Sequence, residues 1–225
     1  MKRILTSLLT LLCITTGAHG TVTGKADLGP VYVTSNIIDS GSVVRTVSMT
    51  GIGGSATASL YKAFVLRPSF VVAGAGQVDY WQIGMGTGAY IPINDSWSVL
   101  PYVSGSFSEM SLRVDLSLAF QDIKQRMCSD NAAVGIDVTW WPIECVSITG
   151  GLQYAWVQTR SYFDAPFPIG IIITSTEGLN YLGQIDYWFT ENASISFGAM
   201  HLHARSRESN GSDTTGYRLG LGFKF

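Results

Sequence analysis

Long stretches of this chain are apolar at one position in two, the period of a strand whose two faces meet different surroundings. The clearest is the last: Tyr217, Leu219, Leu221, Phe223 and Phe225 alternate with Arg218, Gly220, Gly222 and Lys224. Before it, Ile195, Phe197 and Ala199 alternate with Ser194, Ser196 and Gly198, and Leu179, Tyr181, Ile185, Tyr187 and Phe189 lie opposite Asn180, Gln184, Asp186 and Trp188. The same alternation runs through Val146 to Trp156, with Gln153 on its polar side, and through Ala132 to Trp140, with Asp137 and Thr139 on theirs. Trp81, Ile83, Met85, Ala89 and Ile91 form one more apolar face, opposite Gln82 and glycines. Short turn-forming runs separate these strands at Ile93–Ser96, Pro142–Glu144 and Thr190–Asn192.

Two regions depart from the pattern. After Trp97, Val99 and Val103 the apolar set moves to even positions between Met110 and Phe120, which predicts a bulge near Gly105 in one long strand. In the N-terminal third, Leu28 to Ile38 and Val43 to Met49 are expected strands, Gly51 to Ser55 a turn or bulge, and Ser59 to Phe64 and Ser69 to Ala75 a hairpin around Arg67-Pro68. The expected fold is all-β, an antiparallel up-and-down transmembrane barrel of about eight to ten strands.

Composition explains why such strands would close on themselves. The chain is 46% hydrophobic and only 13% charged, yet after Gly20 no apolar run approaches the roughly 18 residues of a membrane helix. Apolar residues dispersed along strands can instead face lipid across a closed sheet that leaves no backbone edge unpaired. At the other end, Lys2 and Arg3, an apolar run from Ile4 to Thr15 and small residues at Ala18 and Gly20 predict an export leader over residues 1–20, ahead of a single barrel domain over 21–225. The formal charge of −2, more negative without the leader, argues against a nucleic-acid partner.

The terminal alternation ending on an aromatic residue resembles the closing strand of the Gram-negative outer-membrane β-barrel family, of the small opacity-like type. The resemblance implies residence in the outer membrane, with contacts to its lipids. It also implies that the barrel-assembly machinery recognises the strand carrying Tyr217, Leu219, Leu221, Phe223 and Phe225. Chain termini and tight turns then lie in the periplasm and longer loops outside, near Gln121 to Asn131, Arg160 to Ser175 and Ser206 to Thr214. Aromatic residues fall at both ends of the strands, Trp97, Trp140, Tyr187 and Phe189 low and Tyr154, Trp156 and Tyr181 higher, as two interfacial girdles would.

With the apolar faces toward lipid, Gln82, Asp137, Gln153, Gln184, Asp186, Trp188, Arg218 and Lys224 face the lumen, and Asp186 and Lys224 are expected to pair across small side chains. In a barrel this size such residues fill the interior rather than line a wide channel. The expected protein is a monomer without cofactor, metal or catalytic residues, whose outside loops serve adhesion, surface contact with host or other ligands, or envelope integrity. Two alternatives stay open: a narrow pore for ions or small hydrophobic molecules, and a lipid-modifying enzyme at His201 and His203. Ser206, Glu208 and Asp213 follow the two histidines, but the enzyme alternative requires a serine two residues after a histidine, where Arg205 stands, and for a metal shared by the histidines no third ligand is evident nearby. Cys128 and Cys145 fall at opposite ends of one strand, about 25 Å apart, which predicts two free thiols, Cys128 reactive from outside the cell.

Overall fold

A computed structural model describes residues 23–61, 63–114, 123–164, 170–206 and 210–225. The expected export leader lies outside them. The described chain is strand almost throughout: β1 (Thr23–Asp39), β2 (Ser42–Tyr61), β3 (Phe64–Ala75), β4 (Val78–Ala89), β5 (Ile91–Asn94), β6 (Trp97–Val114), β7 (Ile123–Ile143), β8 (Val146–Asp164), β9 (Ile172–Trp188), β10 (Ala193–Arg205) and β11 (Gly211–Lys224). Each pairs antiparallel with its neighbour in sequence, apart from β4 and β5, which are two pieces of one stave interrupted at Tyr90. The sheet closes twice over, β1 against β11 from Lys25↔Lys224 to Ile38↔Gly211, and β4 against β6. The result is an up-and-down barrel of ten staves.

Both described chain ends lie at one rim, where Phe225 and Gly24 exchange backbone hydrogen bonds of 2.9 and 3.0 Å. Tight turns after β5, β7 and β9 return the chain at this lower rim. At the upper rim β1 and β2 meet in a two-residue hairpin with positive φ at Ser40 (51°) and Gly41 (79°), the backbone that matches the strands' twist.

Strand length and the outward residues together locate the lipid. A tilted strand crosses a bilayer in about 9–11 residues, but β2 has 20, β7 has 21 and β8 has 19. The lower part of the wall presents an apolar belt to the outside, including Leu28, Ile52, Val72, Ile83, Val103, Ile136, Leu152, Ile185, Phe197 and Leu221, each roughly half exposed. Above that belt charged residues join the outward face, among them Glu109 and Arg113 on β6, Arg126 and Asp130 on β7 and Arg160 on β8, beside apolar Val44, Tyr162 and Ile173. There the ion pairs Arg126–Glu109 (3.1 Å) and Arg160–Asp130 (3.3 Å) decorate the outer wall. The barrel therefore stands in lipid by its lower part and projects into water by its upper part.

This projection corrects two expectations. There is no bulge near Gly105: β6 keeps an unbroken register with β7 from Trp97↔Trp140 to Val114↔Ile123, and with β4. Met110 and Leu112 face the lumen because above the lipid water wets the outer wall, and the apolar face must turn inward. Much of the expected outside loops is likewise strand, since the ladders continue through Ile123 to Asn131, Arg160 to Asp164, Ile172 to Ser175 and Gly211 to Thr214. Gln121 and Asp122 lie outside the described residues.

In the N-terminal third, β2 passes straight through Gly51 to Ser55, and β3 through Arg67-Pro68. Gly51 is there because β3 comes close, and a Cβ on it would overlap the carbonyl oxygen of Val72. Pro68 is accommodated because the β2–β3 ladder skips Ala56 and Thr57, opposite a residue with no N–H to give.

Candidate functional site

The lumen is filled by two different plugs. In the lower, lipid-embedded part it holds ion pairs. Asp186 on β9 accepts from Lys25 of β1 at 2.6 Å, from Gln184 at 2.8 Å and from Ser147 of β8 at 3.0 Å. Arg218 on β11 pairs with Asp27 of β1 and also donates to Gln184 (3.2 Å) and Ser55 (3.3 Å), while Ser55 donates to the second Asp27 oxygen at 3.1 Å. Arg67 on β3 reaches past β4 and β6 to Asp137 on β7 at 2.7 Å, its guanidinium 4.4 Å above the Tyr102 ring. Gln82 receives a hydrogen bond from Tyr80 (2.9 Å) and donates to Ser106 (3.1 Å), and Gln153 donates to Ser104 (3.1 Å). Asp186 and Asp27 are tolerable in a poorly solvated interior because each meets a cation and a further donor, whereas Asp137 relies on Arg67 and keeps Oδ1 without a hydrogen bond.

All eight residues assigned to the lumen from sequence lie on its side of the wall, but Asp186 and Lys224 are not partners. Lys25 occupies that place, and Lys224 instead sets its ammonium 3.8 Å over the Trp188 ring at the lower rim. Lys25, Asp27, Arg67 and Tyr102 escaped the sequence reading. Their signal was a charge or aromatic at lumen parity in strands whose register was not legible.

Above the ion pairs one side of the lumen, along β1 to β7, is apolar, while across from it Ser129 bonds Thr159, Ser35 bonds Thr214 and buried Asn180 bonds Gln153. Val33, Val47, Met49, Ala73, Val78 and Leu112 form one buried cluster, with Ile37, Val71, Tyr80, Met110 and Met127 packed against it. A cavity of about 80 Å³ remains between the two plugs, touched by Met49, Tyr80, Gln82 and Met200. That is room for a few waters at about 30 Å³ each, not for a solute pathway.

Outside the lumen two features stand at the upper rim. A groove of about 1250 Å³ runs over the tops of β7 to β10, lined by Tyr154, Trp156, Ile172, Ile173, Glu177 and Arg205 among others. Among the described residues β9 outruns β10 there: Arg205 pairs with Glu177, and above that level β9 pairs with β8 alone. The second feature is polar. His201 and His203 project outward from β10, opposite Thr215 and Asp213 of β11. His203 Nδ1 lies 2.7 Å from Asp213 Oδ1, Arg205 donates to Asp213 Oδ2 at 2.6 Å, and His201 Nδ1 is 3.1 Å from Thr215 Oγ1. The Arg205 hydrogen bond, more than any other influence, holds the Asp213 carboxyl below the ordinary carboxylate range, with His203 adding and partial burial opposing. The expectation that no third ligand stands beside the histidines is thus corrected, because cross-strand register brings in Asp213 from ten residues away in sequence.

The outward residues of β11, Tyr217, Leu219, Leu221, Phe223 and Phe225, are all about half exposed. Trp97 and Trp140 stack at 5.6 Å in the lower girdle, and Tyr154 meets Trp156 edge-on at 5.0 Å in the upper. Cys128 and Cys145 are free. Cys128 lies within β7 rather than in a loop and is buried, which corrects the expectation that it is open to the outside.

No protein-family model matches the chain, and no curated protein matches it in sequence. Solved structures match its fold. The outer membrane protease OmpT from Escherichia coli aligns over 94% of this chain and 100% of its own, at 11% identity and TM-score 0.54. The translocator domain of the autotransporter NalP from Neisseria meningitidis aligns over 100% of this chain and 96% of its own, at 11% identity and TM-score 0.55. Ail, the attachment invasion locus protein of Yersinia pestis, aligns over 90% and 98%, at 13% identity and TM-score 0.47. In fold, this chain is an up-and-down antiparallel β-barrel like those of the outer-membrane protein OmpT and the NalP translocator domain.

Proposed function

We propose that this protein is a monomeric, non-conducting barrel that acts at the cell surface through the part standing above the lipid. The observation that supports the reading is the crowded lumen: salt bridges span its lower half, and a packed apolar cluster from β1 to β7 occupies one side of its upper half. A solute would have to part the first and pass the second. The groove over β7 to β10, with tryptophan, tyrosine and isoleucine beside Glu177 and Arg205, offers a mixed apolar and charged lining to a contact partner. On this reading the role is surface contact, adhesion or envelope integrity, without enzymatic turnover; Arg205 stands where a lipid-modifying site would need serine. The partners are membrane lipid around the belt, the assembly machinery reading the last strand, and a surface ligand at the groove.

Planar-bilayer recording tests it. The purified barrel should give no stepwise conductance beyond the lipid baseline, and replacing Met49 and Leu112 by glycine should not create a stable pore while the ion-pair layer stays intact. Reproducible unitary conductance from the unsubstituted protein would transfer the assignment to the narrow-pore alternative.

A further inference from the structure

We propose that His201, His203 and Asp213 form a surface site for a divalent transition-metal ion, zinc above all, on the outer wall at the upper rim. Each offers one ligand atom, and these atoms lie within 4.8 Å of one another. Zinc bonds nitrogen at about 2.0–2.1 Å and carboxylate oxygen at about 2.0–2.2 Å, so small side-chain rotations bring all three onto one ion.

The backbone supplies the arrangement. Alternate residues of β10 share a face, which sets the two imidazoles side by side, and the β10–β11 register places Asp213 directly opposite His203. Gly178 lets β9 pass close behind this point, since a Cβ there would overlap the His203 carbonyl oxygen. The carboxylate is already oriented: Arg205 holds Oδ2 and turns Oδ1 toward the histidines. Such an outer-shell donor fixes a metal-binding carboxylate. His203 keeps 45% of its side chain exposed, so an ion can enter from solvent without strand movement.

Donor chemistry selects the ion. Two imidazoles and one carboxylate favour zinc, nickel or copper, whereas calcium and magnesium require oxygen donors. Three protein ligands leave a further coordination position facing outward for water or an external donor, as in zinc sites that are not purely structural. The ion also ties β10 to β11 where they part into the loop above.

Zinc titration by calorimetry of the refolded full chain tests this, without a histidine tag and with His19→Ala, since His19 is the only other histidine. One zinc per chain should bind saturably. His201→Gln, His203→Gln and Asp213→Asn should each weaken binding at least tenfold, and Arg205→Met, which removes no ligand, by about 10–100-fold. Cobalt(II) added to the His19→Ala chain gives an independent readout, the intense visible absorption of a low-coordinate ion that zinc displaces. Absence of saturable zinc binding, affinity unchanged by His201→Gln with His203→Gln, or only the weak spectrum of hydrated cobalt would each overturn the proposal.

Discussion

Asp186 is the residue on which the lower lumen depends. Its side chain is 5% exposed and its cationic partner, Lys25, 21%; removing one member of such a pair leaves an uncompensated charge in a poorly solvated interior, a loss of about 3 kcal/mol. Lys25→Met and Asp186→Asn should therefore be strongly sub-additive in a double-mutant cycle read by urea unfolding. Lys224→Met, which forfeits only its contact with Trp188, should add to Asp186→Asn within about 0.5 kcal/mol. The opposite coupling would restore the pairing expected from sequence. In the upper lumen Leu112, 1% exposed, should cost about 2–5 kcal/mol when cut to alanine. A lipid-facing leucine has no such cavity to leave, so Leu221→Ala should cost clearly less in the same unfolding assay.

Among the elements, those of the second half were legible because a fully apolar outward face alternates there with a polar inward one. Gly51 to Ser55 and Arg67-Pro68 were read as turns because glycine and proline mark turns in isolation. In the barrel one is a close approach of two strands and the other a gap in a ladder, and both need the neighbouring strand to be seen. Gly51→Ala should accordingly slow or abolish refolding, while Gly150→Ala, whose added Cβ meets nothing within 4 Å, should leave the heat-resistant mobility of the folded barrel on SDS gels unchanged. Strand directions also keep Cys128 and Cys145 at opposite ends of β7. Thiol titration should find two reduced cysteines in the folded protein, with Cys128, 8% exposed, reacting much more slowly than in the unfolded chain; an intramolecular disulfide would contradict the topology.

At the scale of the whole molecule, one physical rule governs the lower barrel and its converse governs the upper. Where lipid surrounds the wall, apolar side chains face out and charges pair inside. Where water surrounds it, charges appear on the outer wall and, along β1 to β7, apolar side chains pack inside. The sequence shows this inversion on β6 as an apparent slip of parity after Gly105, and without the register it could not be told from a bulge. That Asp213 stands beside His201 and His203 was illegible for a related reason, because it arrives through strand pairing and not through spacing.

Site-directed spin labelling along β6 tests that inversion most directly. Labels at Val99, Val103 and Phe107 should collide with oxygen dissolved in lipid, labels at Glu109, Ser111 and Arg113 with a water-soluble nickel chelate, and labels at Met110 and Leu112 with neither. Lipid exposure at Met110 and Leu112 would contradict the account, since it requires the bulge that the unbroken β6–β7 ladder excludes.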